Sequence, residues 1–97
     1  MAQTVVSFRI PSGHKRIVFE KPLVLQRIYL SIRALAPPEA WAESRISFDD
    51  PEFYSFYTLA GYGKYFETKG EGIFQGDVWV YNVATSEIPY TMTEILV

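Results

Sequence analysis

From Val24 onward the chain reads as one strand, in which Ile28, Leu30, Ile32 and Ala34 alternate with Arg27, Tyr29, Ser31 and Arg33, an aliphatic side chain at every second position and a polar, basic or phenolic one between. A period of two puts Ile28, Leu30, Ile32 and Ala34 on one face of an extended strand and Arg27, Tyr29, Ser31 and Arg33 on the other. One buried face and one wet face is the pattern of an antiparallel sheet. Similar short runs recur along the chain, and nowhere do apolar residues keep helical spacing for more than about two turns. A strand must bury its apolar face against other strands, so this one feature commits the chain to sheet architecture.

The remaining strands read in the same way. Residues 4–10 place Val6, Phe8 and Ile10 on one face and stop at Pro11-Ser12-Gly13, where proline lacks the ladder donor. Residues 16–20 follow, and Pro22 separates them from the central strand. Residues 44–48 point Ile46 and Phe48 inward, ahead of the turn Asp49-Asp50-Pro51-Glu52. Residues 53–59 read as an aromatic strand, residues 65–68 as a brief one, residues 78–81 as one that follows Gly76-Asp77, and residues 88–97 as the last. Only residues 37–43, with Pro, Ala and Glu, carry helical chemistry. The expected fold is all-β: an antiparallel sandwich or jelly roll of about seven to nine short strands, with at most one short helix near 37–43. With 97 residues there is room for one core, so residues 1–97 are expected to form a single domain.

Composition narrows the chemistry. Apolar residues at 48% and charged residues at 21% are those of a chain that folds. The absence of cysteine excludes disulfides, thiolate zinc sites and cysteine nucleophiles. The longest apolar run, residues 23–36, is broken by Gln26, Arg27 and Arg33, and the first residues lack a signal-peptide pattern. A soluble protein made in the cytoplasm, with no membrane partner, is therefore expected. The net charge of −2 is unevenly spread: residues 1–48 carry seven basic side chains against three acidic, and residues 49–97 carry two against eight. Such a division gives a two-faced molecule suited to docking, unless the fold interleaves the halves.

Catalytic and ligand motifs are weak. His14, the single histidine, sits in the basic turn Gly13-His14-Lys15-Arg16 with no acid beside it to orient it, and reads as a solvated turn residue. Asp49-Asp50-Pro51-Glu52 lacks the alternating ligand spacing of a calcium loop and reads as a turn. Gly61-Tyr62-Gly63-Lys64 and Gly70-Glu71-Gly72 open no helix that would cradle a phosphate. The aromatic run at 53–57 has acidic neighbours, which oppose nucleic acid. No enzyme activity, cofactor, metal or nucleic-acid partner is expected.

Aromatic content of 16% exceeds the needs of one small core, and rings left outside a core are enriched at interfaces. Arg27, Tyr29 and Arg33 on the polar face of the central strand, together with Tyr54, Phe56, Ile95 and Val97, are the expected interface residues. The apolar run Ile95-Leu96-Val97 is expected to be held in its own sheet or paired with another chain. Trp41, Tyr62 and Trp79 offer an alternative use, as a stacking platform for sugar. The segment Lys69-Gly70-Glu71-Gly72-Ile73-Phe74-Gln75-Gly76-Asp77-Val78-Trp79-Val80-Tyr81-Asn82, set in a cysteine-free series of short strands, resembles the jelly-roll and sandwich subunits that phages use as head-decoration (cement), fibre or tail accessory proteins. The resemblance implies a non-enzymatic virion protein that forms a closed homo-oligomer, such as a trimer, on a larger shell or tail. The alternative is a carbohydrate-binding β-sandwich.

Overall fold

The computed structural model describes residues 1–35, 41–61, 64–70 and 74–97. Within them the chain forms eight strands: β1 (Ala2–Ile10), β2 (Lys15–Phe19), β3 (Arg27–Ala34), β4 (Ala42–Phe48), β5 (Tyr57–Gly61), β6 (Tyr65–Lys69), β7 (Val78–Asn82) and β8 (Ile88–Leu96). They build two antiparallel four-stranded sheets, ordered β1-β8-β3-β6 and β2-β7-β4-β5. The pairs β1–β8, β2–β7, β3–β6 and β4–β5 nest one inside the next, as in a long hairpin rolled up on itself. That is the strand order of a jelly roll, and it is the expected all-β sandwich class. No helix among the described residues is long and apolar enough to cross a membrane.

The period of two decides what each sheet buries. From the first sheet, Ile10, Leu30, Ile32, Ala34, Ile88, Tyr90 and Met92 point inward, and from the second, Phe19, Ala42, Ile46, Leu59, Val78 and Val80 meet them in one core. The rings of Phe8 and Tyr90 stack at 5.4 Å, and the Tyr90 hydroxyl bonds the Ser44 hydroxyl across the core, tying sheet to sheet. A second set of rings closes the side of the sandwich between β5 and β6. Phe48 stacks on Phe74 at 4.3 Å, and Tyr57 sets its edge or tilted face against Phe48, Phe74 and Phe66.

Each end of the sandwich holds one buried polar pin. At one end Asn82 donates to the Ile10 carbonyl at 2.8 Å and the Ser86 carbonyl at 2.9 Å while its own oxygen accepts from the Ala84 N–H. At the other, Arg27 and Glu94 face each other between the sheets, with side chains 0% and 9% exposed. Arg27 is thus withdrawn from the polar face on which alternation placed it. The ladder between β3 and β8 slips between Arg27 and Tyr29, and this irregularity turns the guanidinium inward.

Three further expectations give way. The central strand expected from Val24 begins only at Arg27, and residues 23–25 form a bend ahead of it. Of the helical stretch near 37–43, residues 37–40 lie outside the described residues, and Ala42 and Glu43 open β4 instead. Ala42 lies opposite Gly61 in the β4–β5 ladder and shares the buried face of Ser44 and Ile46, so sheet burial overrides a weak helical preference. The aromatic strand expected from residue 53 starts only at Tyr57. Residues 49–56 form a loop because the Asp50 carboxylate accepts the N–H groups of Glu52 (3.0 Å) and Ser55 (2.9 Å) and the Ser47 hydroxyl bonds the carbonyls of Asp50 and Ser55. The backbone at Phe53 takes a φ of 56°, which turns its ring back over Tyr81 on the outer face of the second sheet.

Candidate functional site

The end of the sandwich that carries Arg27 also presents the most exposed apolar side chains. Between β2 and β3, Leu23 and Val24 are 94% and 95% exposed and Leu25 is partly so. Both flanks of this loop are held. On the first, the Lys21 N–H donates to Asp77 at 2.6 Å. On the second, Gln26 and Val97 exchange backbone hydrogen bonds of 2.8 and 2.9 Å. One residue further on, the backbone of Arg27 pairs with the side-chain amide of Gln75, both bonds measuring 2.7 Å.

The Arg27 guanidinium completes the clamp. Its Nε donates to Glu94 Oε2 at 2.9 Å and its Nη2 lies 2.8 Å from the same oxygen. Nη1 donates to the carbonyls of Phe74 (2.8 Å) and Gly76 (2.9 Å). Gly76 is required there, since a Cβ at that position would overlap the Asp49 carboxylate, which accepts the Asp77 N–H at 2.8 Å. The consequence is a short apolar loop on a fixed base, whose second flank is hydrogen-bonded to the exposed Val97. Full burial of a Leu or Val is worth about 1.5–3 kcal/mol, so the loop gains by being covered.

The expected interface residues are divided among three places. Tyr29, Arg33 and Ile95 do share the outer face of the first sheet, Tyr29 lying opposite Ile95 and Arg33 opposite Tyr65. There Tyr29 and Tyr65 donate to one oxygen of Glu67 at 2.6 and 2.7 Å, and Arg33 lies over the Tyr65 ring at 5.2 Å. The phenols of Tyr29 and then Tyr65 hold the Glu67 carboxyl below the usual carboxylate range, and Glu67 in turn pushes the Tyr65 phenol up. Tyr54 and Phe56 belong to the loop over the other sheet, Tyr54 88% exposed and Phe56 resting on Arg45 at 4.5 Å. Val97 sits with the apolar loop. Arg27 is buried and belongs to none of these surfaces.

Ile95 and Leu96 lie on or at the end of β8, which runs between β1 and β3. This run completes its own sheet and has no open edge for another chain. Of the sugar-platform residues, Trp41 is exposed, Trp79 is half-buried, and Tyr62 lies outside the described residues. Trp79 lies opposite Ser47, six positions along β4 from Trp41, so about 20 Å separates the two rings' backbone positions. They make no joint platform. A cleft lined by Ile46, Phe48, Ser55, Phe56, Tyr57 and Phe74 has a volume of about 70 Å³, the share of roughly two liquid waters.

His14 is exposed in the turn between β1 and β2, its carbonyl accepting the Asn82 N–H. The carboxylates of Asp49 and Asp50 are occupied by backbone N–H groups, as turn residues are, and Ser55 above all holds Asp50 below its ordinary range. Among the described residues, no three His, Cys, Asp or Glu side chains are grouped as metal ligands. Sequence alternation does not reveal the Arg27–Glu94 pair. The one legible signal is Glu94, a charge on the inward phase of Tyr90 and Met92 that requires a buried cation. No known protein family matches the chain, and no curated protein is similar to it.

Proposed function

We propose that this chain is a non-enzymatic assembly protein, a phage virion component that associates with itself as a closed homo-oligomer and decorates a larger protein shell. The observation that carries the proposal is the loop of residues 23–25, whose near-complete exposure on a doubly anchored base suits it to be covered by a partner. The double-sheet jelly roll supports the reading because it presents rigid faces and loop ends from a small chain, and viral capsid domains use it often. Fold alone does not assign function. In this reading the apolar loop docks on the shell while other surfaces join copies, and no bond is made or broken.

The test is a mass measurement in solution followed by pelleting with purified phage shells. A discrete oligomer that pellets with shells, and a Leu23→Asp/Val24→Asp variant that keeps its fold but stays in the supernatant, is the expected outcome. A monomer that ignores shells overturns the proposal. A glycan-array signal abolished by Trp41→Ala would put carbohydrate binding in its place, Trp41 being the exposed indole.

A further inference from the structure

A sandwich has four edge strands, and here they differ in how well they are defended. β2 carries Lys15 and Arg16 and is kinked by a register shift between Ile17 and Phe19. β5 and β6 are five residues long, and β6 carries Glu67 and Lys69. Shortness, charge and bulges are the usual means of blocking edge pairing. β1 is the least defended, with charge only near one end, at Arg9 and where Arg16 of β2 lies over the Phe8 ring at 5.0 Å. It is nine residues long, pairs with β8 in unbroken register from Ala2 to Ile10, contains no proline, and bears one charge, Arg9. Arg9 is already paired with Glu87 at 3.3 Å. Among the described residues only β8 lies beside β1, so its other edge offers main-chain N–H and C=O groups along its length.

We infer that the β1 edge of one copy pairs antiparallel with the β1 edge of a second, joining two four-stranded sheets into one of eight about a two-fold axis. This rests on the self-association proposed above and names the surface that performs it. Charge selects the arrangement: antiparallel pairing sends the two Arg9 side chains to opposite ends, whereas parallel pairing would set them side by side. The number of contacts also suffices, because a fully overlapped pair of nine-residue strands exchanges about eight to ten main-chain hydrogen bonds, as many as an interface of standard size carries. Val5, an aliphatic residue 58% exposed on the outer face of the strand, then lies opposite Ser7 and diagonal to its counterpart, next to the two-fold axis. A two-fold contact of this kind uses up both edges and closes on itself, so it does not propagate into fibres.

The chain has no cysteine, so introduced thiols report the pairing without background. Gln3→Cys, Val5→Cys and Ser7→Cys are oxidised singly and mixed in pairs, with Thr85→Cys on an exposed loop as control. Directly opposed residues in an antiparallel pair lie about 4.5–5.5 Å apart between Cα atoms, within disulfide reach, and any two-fold register centred on residues 3 to 7 opposes one of these pairs. The expected result is a covalent dimer through the β1 positions and none through residue 85. In addition, Val5→Lys should keep the fold and weaken self-association by about tenfold through like charges near the axis. If the wild-type chain is oligomeric but no β1 thiol cross-links and Val5→Lys associates normally, the edge is the wrong surface while the assembly role stands. A monomeric wild-type chain overturns both.

Discussion

At the residue scale, the Arg27–Glu94 pair shows how one buried charge organises a whole end of the molecule. Removing either partner strands the other in a site from which water is excluded, so Arg27→Ala or Glu94→Leu should cost about 3–5 kcal/mol in chemical denaturation. The joint Arg27→Met/Glu94→Leu change should recover much of that loss, because a well-packed apolar pair carries no desolvation cost. Gly76→Ala drives a methyl group into the Asp49 carboxylate and should destabilise by about 1–3 kcal/mol. Asp50 sets a pH dependence. Its carboxyl is held low in the folded chain by the backbone N–H groups of the loop, Ser55 first. Its contribution is therefore present above the unfolded value near 4 and is lost as pH falls through the folded one. Stability curves of Asp50→Asn and the parent chain should converge in acid; a constant separation down to acid pH would refute the assignment. None of these roles follows from spacing alone. Arg27 leaves the face that alternation assigns it because a single register slip inverts the face of a residue, and periodicity carries no mark of where a ladder slips.

At the element scale, the stretches that alternate cleanly are legible in the amino-acid sequence alone: β1, β3 from Leu30 onward and β8 as far as Met92 each turn inward the apolar phase that their residues show. The segments that depart from their alternation are those where long-range bonds outweigh local preference. Residues 53–56 have strand composition throughout, yet the Ser47 hydroxyl and the Asp50 carboxylate capture their backbone and fold them over the second sheet. Phe53 is the weight on that loop, 7% exposed and edge-on to Tyr81 at 5.4 Å. Phe53→Ala should cost about 3 kcal/mol and should free Tyr81 to solvent, which tyrosine fluorescence quenching would register. An unchanged Tyr81 environment would mean that the loop is held by its hydrogen bonds alone. The site is less legible than the fold. Tyr29, Arg33 and Ile95 do share a face, but Val24 and Leu25 of the exposed loop read as the start of the central strand, since Val and Leu have no local feature that tells a core run from an uncovered one.

At the scale of the molecule, the nested strand order explains why uneven charge along the chain need not produce two oppositely charged faces. Every ladder joins a strand from the basic first half to one from the acidic second half, and the ion pairs Arg9–Glu87 and Arg27–Glu94 cross the same divide. The aromatic content has a comparable resolution. Phe8, Phe48, Phe66 and Tyr90 serve the core or close an open side of the sandwich, and Phe53 is buried against Tyr81 on the outer face of the second sheet, which leaves a smaller surplus than composition suggests. Two exposed features stand out, a pinned apolar loop at one end and a lightly defended strand along one edge. Under the proposed function, these are the two surfaces that protein contacts cover. Light scattering across a concentration series tests this most directly. A discrete mass at a whole multiple of the 11.1 kDa chain is the predicted result, and a mass that stays at that of one chain at every concentration would contradict the account.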